Sequence, residues 1–247
     1  MNPWTPCENS NLPPAEVKLG NRWIHILHQG EPDPVNIAVD KAGILYWTCR
    51  TAGVILEDTP SPKSPTAVLL SALHKPTGIA ADRHGNIYFT EVPTPGVPGT
   101  LGGTNRVSMV SAYNNASVIV LSDGEPEPSD LAASGDGDLY WTCRTAGVIL
   151  KRDASGAQSL LLAGLNQPLG IALDEQRQLL YWTEVPTPGL PGSMGGMNKV
   201  WVYDLVAQVK SLVNAGDPEP TDITVGNNGR VYWTCTSAGV IVEARLK

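Results

Sequence analysis

"VNIAVDKAGILYWTC" occupies residues 35–49, and its pattern returns four more times along the chain. The copies are "TGIAADRHGNIYFTE" (77–91), "SDLAASGDGDLYWTC" (129–143), "LGIALDEQRQLLYWTE" (169–184) and "TDITVGNNGRVYWTC" (221–235). Each holds two short apolar or β-branched runs around a turn rich in Asp, Gly or Asn, which reads as a pair of strands. The aligned aromatics Trp47, Phe89, Trp141, Trp182 and Trp233 are 42, 52, 41 and 51 residues apart. A repeat of this length marks an array of like supersecondary units, a solenoid or a propeller.

The spacing alternates because the copies end in two ways. Three end in Cys and run on as "CRTAG" or "CTSAG". Two end in Glu and open the long loops "EVPTPGVPGTLGGTN" (91–105) and "EVPTPGLPGSMGGMN" (184–198). Two further strands follow in each unit, as "AGVILED" and "TAVLLSAL" do in the first. Four-stranded units of this size are propeller blades. The expected fold is all-β: a single five-bladed β-propeller with four-stranded blades. The last unit stops at its third strand, "AGVIVEARLK", while a spare strand, "RWIHILHQ" (22–29), precedes the first and runs into "GEPDP". That strand is expected to complete the final blade and close the ring, which removes a sheet edge. The propeller then spans 22–247, behind a Pro-rich extension over 1–21.

Composition narrows the classes. The chain has 247 residues, a formal charge of -7 and a pI near 5.0. No basic patch argues for nucleic acid. No run is long enough to cross a membrane, and the N-terminal stretch lacks the apolar core of a signal peptide. Cys49, Cys143 and Cys235 take one position in three different units, too far apart to bridge. They read as free thiols, and with no signal peptide they point to the cytoplasm.

Two loop sets share one face of a propeller: those entering each first strand and those joining the second strand to the third. The first set reads "GEPDP", "HKP", "GEPEP", "NQP" and "GDPEP"; the second holds both long loops. The mouth of the central channel on this face is the expected site of a small-molecule ligand. Glu91, Glu184 and the nearby His74 are the catalytic candidates, as general acids or bases. The two glutamates read equally as caps on loop amides. Asn36, Asp130 and Asp222 start the first strands of three units and form the binding candidates, together with Arg50 and Arg144. The arginines either clamp an anionic ligand or pair with neighbouring carboxylates. The reading carries no cofactor and no metal; the three oxygen-bearing side chains leave Ca²⁺ or Mg²⁺ as the alternative.

"PTGIAADRHGNIYFTE" resembles an NHL-type propeller repeat, and "LYWTE" and "LYWTC" resemble the YWTD repeat of lipoprotein-receptor propellers. The strand pattern is also similar to the gluconolactonase, strictosidine-synthase and virginiamycin-lyase propellers. In place of the YWTD aspartate stand Cys49, Glu91, Cys143, Glu184 and Cys235, and the metal ligands of the lactonase-type enzymes have no counterparts here. The resemblance implies a small-molecule enzyme of hydrolase, lyase or cyclase type. The alternatives are a ligand- or glycan-binding propeller without catalysis, and a protein-interaction scaffold.

Overall fold

A computed structural model describes residues 16–19, 22–25, 31–58, 66–93, 105–111, 117–186, 198–226 and 228–245. A hairpin of β1 (Glu16–Leu19) and β2 (Arg22–His25) comes first. Blade 1 holds β3 (Pro34–Val39), β4 (Leu45–Cys49), β5 (Val54–Asp58) and β6 (Ala67–Leu70). Blade 2 holds β7 (Pro76–Ala81), β8 (Asn86–Glu91), β9 (Arg106–Ser111) and β10 (Ile119–Asp123). Blade 3 holds β11 (Pro128–Ala133), β12 (Leu139–Cys143), β13 (Val148–Arg152) and β14 (Gln158–Leu162). Blade 4 holds β15 (Pro168–Asp174), β16 (Leu179–Glu184), β17 (Lys199–Asp204) and β18 (Val209–Ala215). Blade 5 holds β19 (Pro220–Val225), β20 (Arg230–Cys235) and β21 (Val240–Arg245). Within each blade, sequential strands pair antiparallel, and the first strands pack side by side in the order β3, β7, β11, β15, β19. This is the five-bladed propeller expected from the repeats.

One pairing differs from expectation. β2, from the segment expected to close the ring, is bonded to β1 in the register Glu16↔His25 to Leu19↔Arg22. The fifth sheet has three strands among the described residues. The signal was present in the sequence: Gly20-Asn21 joins the strands, and a two-residue Gly-Asn link is a hairpin connection. Such a local pairing closes at a lower entropic cost than one across the whole ring.

The core lies between blades. The repeated aromatics Phe89, Trp141, Trp182 and Trp233 are at most 2% exposed. Trp141 and Cys143 of blade 3 cluster with Tyr88 and Val107 of blade 2. Trp233 and Cys235 of blade 5 cluster with Tyr181, Val200 and Val202 of blade 4. The second-strand alternation therefore has one meaning in blades 3 and 5 and their neighbours. Trp and Cys face the preceding blade, and Tyr faces the following one. No helix among the described residues is long and apolar enough to cross a membrane.

The threonine after each aromatic ties the ring together. At the start of every first strand the register with the second slips, between Pro34 and Asn36 in blade 1 and between Pro128 and Asp130 in blade 3. The N–H exposed by this bulge donates to a threonine hydroxyl in all five blades: Asn36 to Thr48, Gly78 to Thr90, Asp130 to Thr142, Gly170 to Thr183 and Asp222 to Thr234. Two of these hydroxyls also donate to the next blade, Thr48 to the Thr77 carbonyl and Thr142 to that of Leu169, both at 2.7 Å. Thr142→Val keeps the volume but strands the buried N–H of Asp130 and the half-buried carbonyl of Leu169. We expect a loss of about 2–4 kcal/mol in denaturant unfolding, since each unsatisfied group costs about 1–3 kcal/mol.

Candidate functional site

The entry loops are strained in the same way in every blade. The residue before each entry proline has positive φ without being glycine: Asp33 (54°), Lys75 (51°), Glu127 (56°), Gln167 (52°) and Glu219 (53°). Its carbonyl accepts the first N–H beyond the second strand, from Arg50, Val92, Arg144, Val185 and Thr236 respectively. Both loop sets thus meet on one face, as the sequence led one to expect. Backbone strain of this kind needs surrounding structure to hold it. Here side chains add to the hold: Thr51 donates to Asp33 at 3.0 Å, Thr145 to Glu127 and Ser237 to Glu219.

The two loop types solve one problem with different residues. In the Cys-type blades the first acidic residue of the entry loop lies beside the thiol. Cys143 donates to Glu125 at 3.5 Å, and Glu125 also accepts from Ser122 and from Gln158. Asp217 accepts the Trp233 indole N–H at 2.8 Å. The entry loops "HKP" and "NQP" carry no acid, and the strand's own glutamate supplies the carboxylate instead. Glu91 accepts the His74 backbone N–H at 2.7 Å and lies 3.8 Å from the Arg106 guanidinium. Glu184 accepts the Trp182 indole N–H at 3.4 Å. Both glutamates are buried. The long loops beyond them, 94–104 and 187–197, lie outside the described residues. Their last residues do not: Asn105 donates to the Glu125 carbonyl and Asn198 to that of Asp217, both at 3.1 Å. Each Glu-type blade thereby holds the acidic entry loop of the next.

The three thiols are free and buried. Burial first, and neighbouring carboxylates second, push Cys49 and Cys235 up to about 11 and Cys143 higher still. None is a nucleophile at neutral pH.

Of the other candidates, His74 is exposed and meets Glu91 through its backbone N–H. Arg50 is exposed, and Arg144 donates to the Gln167 side chain at 3.3 Å. Asn36, Asp130 and Asp222 do come together on the axis. The bulges aim them inward, and Asn36 of blade 1 reaches across to donate to Asp130 of blade 3 at 2.8 Å. Asp130 also accepts the N–H groups of Leu131 (2.8 Å) and of Ile171 in blade 4 (3.0 Å). Blades 2 and 4 have glycine at the same position, and the acids need it. A Cβ on Gly78 would lie 2.8 Å from the Asp130 Cα, and one on Gly170 2.9 Å from the Asp222 Cα.

Asp130 is nearly inaccessible, while Asp222 is exposed. Burial is the main force pushing the Asp130 carboxyl up, to about 8; the nearby Asp222 charge adds to it, against the three N–H donors. Asp222, although its edge is open to solvent, is partly desolvated by the surrounding first strands, which raises it too, against the Ile223 N–H. Both shifts run the same way, so burial and the neighbouring charge together favour the un-ionised form at this pair. Among the described residues no three His, Cys, Asp or Glu side chains are grouped to hold a metal ion.

No family model matches the chain. Solved structures resemble it over most of its length. A chain of a nidogen/laminin complex superposes with a TM-score of 0.70 at 18% identity, over 91% of this chain and 80% of that one. A gluconolactonase of Xanthomonas campestris gives 0.67 at 17%, over 94% and 84%. A streptogramin B lyase gives 0.61 at 17%, over 92% and 72%.

Proposed function

We propose, on the premise that the chain is a β-propeller of the NHL/YWTD type, that it is a small-molecule enzyme acting at the mouth of its central channel. The observation that carries this reading is the Asp130–Asp222 pair on the axis. The exposed Asp222 is a base for a water molecule or an acidic C–H bond. Asp130, buried below it and held by Asn36, Leu131 and Ile171, positions Asp222 and exchanges the proton of the pair with it. Such a pair suits hydrolysis or elimination at an ester carried by a small cyclic molecule, the kind of chemistry for which the lactonase and lyase neighbours are named. Glu91 and Glu184, each already bonded, position the loops around the mouth.

The test is turnover of a panel of lactones and cyclic esters by the full chain. Asp130→Asn and Asp222→Asn should each lower kcat/KM by about 10²–10⁴-fold, the usual contribution of a positioned acid or base, with folding retained. Glu91→Gln should lower stability and leave the rate per folded molecule within a few fold. Full activity in both aspartate variants moves the site elsewhere. A second reading, ligand binding without turnover, is favoured by the engagement of both glutamates in the loop framework. It predicts that Asp222→Asn abolishes binding in a chain that turns nothing over.

A further inference from the structure

Blade 1 has a face made for a neighbour. In blades 3 and 5 the Trp–Cys face is covered by the preceding blade. The equivalent residues of blade 1 form a cluster of Trp47, Cys49, Val54 and Leu56, packed with Leu45 and Ala52, all from blade 1. Yet Trp47 is 6% exposed and Val54 and Leu56 are each 8% exposed. The inner strand of the same blade is bare: Ile37 is 61% exposed, where Ile79, Leu131, Ile171 and Ile223 of the other blades are 3–5% exposed. Across the gap, Ile241 on β21 is 75% exposed.

We propose that the β1–β2 hairpin is the outer half of a further blade, seated between blades 5 and 1 against the Trp47–Val54–Leu56 face. Three observations single out this occupant. The hairpin runs into "GEPDP", the type of link that joins β10 to β11 and β18 to β19, so β2 stands where a blade's fourth strand stands and β1 where its third does. Its tether is short: nine residue steps separate His25 from Pro34 on β3, a reach of about 30 Å at full extension. Such a tether holds the hairpin at high effective concentration over that face. A two-stranded hairpin alone is also marginal in water and needs a surface to pack on. The half-blade covers the outer strands of blade 1 and leaves the inner strand open. An apolar slot then runs to the axis between Ile37 and Ile241, with Asn36 on one wall and Asp222 on the other.

The test changes the hairpin and reads the ring, by hydrogen exchange and thermal unfolding of the full chain. Val17 and Ile24 are paired positions of the hairpin. Val17→Asp and Ile24→Asp should speed amide exchange in β4 and β5 by about tenfold or more, leave blades 3 and 4 unchanged and lower Tm by a few degrees. In a chain lacking residues 1–29, a synthetic peptide of that sequence should restore β4 and β5 protection saturably. Unchanged exchange and Tm in both point variants overturns the proposal. So does protection of β4 and β5 that depends on protein concentration, which would mean that a second copy covers the face.

Discussion

Gly170→Ala should lose about 3 kcal/mol or more of folding stability, well beyond the usual range of an exposed substitution. The reason is the spacing of first strands around the axis. A methyl on Gly170 would sit 2.8 Å from the Thr221 carbonyl oxygen, 2.9 Å from the Asp222 Cα and 3.2 Å from the Ile223 nitrogen. All three are backbone atoms of blade 5, so the strand itself has to move. That movement also pulls Asp222 away from Asp130, and catalysis should fall with stability. Gly216→Ala is the control: nothing lies within 4 Å of its added Cβ, and only its positive φ of 86° is violated. It should cost about 1–2 kcal/mol, the penalty of a left-handed residue, and leave activity intact. Urea unfolding of both variants beside the parent checks the difference. Equal losses would mean that the close approach of β15 and β19 does not constrain the axis.

The second large effect is on pH. The Asp130 carboxyl is raised from an ordinary value of 3.8 to about 8 in the folded protein. Between those values the native state keeps a proton that the unfolded chain has released. This contribution is therefore most favourable below pH 4, fades as pH rises towards 8, and stays low beyond. Asp222 and Glu57 are raised by burial too, while hydrogen bonds lower Asp153, so the clean measurement is the difference between the parent and Asp130→Asn. From pH 5 to pH 8.5 that difference should move by about 2 kcal/mol or more in the variant's favour, since each pKa unit is worth about 1.4 kcal/mol. Turnover should fall over the same upper range as the acid loses its proton. A difference that stays constant with pH would place the Asp130 proton loss near pH 4.

The blades were legible because each repeat carries its strands, turns and loops together. The alternation of two loop types was legible too, and it placed Asn36, Asp130 and Asp222 at one level. What the sequence hid was relational. Glycine at 78 and 170 looks like an ordinary turn residue until a neighbouring strand is seen beside it. The threonines after each aromatic look like β-propensity, yet their hydroxyls fill five bulges. Glu91 and Glu184 drew attention by their place beside the long loops. Of their two readings the cap on a loop amide is the one Glu91 takes, at the His74 N–H, while Glu184 bonds the Trp182 indole. The pairing of β2 with β1 is a local alternative to ring closure, and a lone strand next to "GEPDP" looks the same in the sequence for either partner.

¹³C NMR of aspartate-labelled protein reads the carboxyl state of Asp130 directly, with Asp130→Asn giving the assignment. The expected result is a carboxyl protonated at pH 7 that loses its proton near pH 8, with a second step at the neighbouring Asp222. A carboxyl already ionised at pH 6, with its midpoint near the ordinary value of about 4, would contradict it.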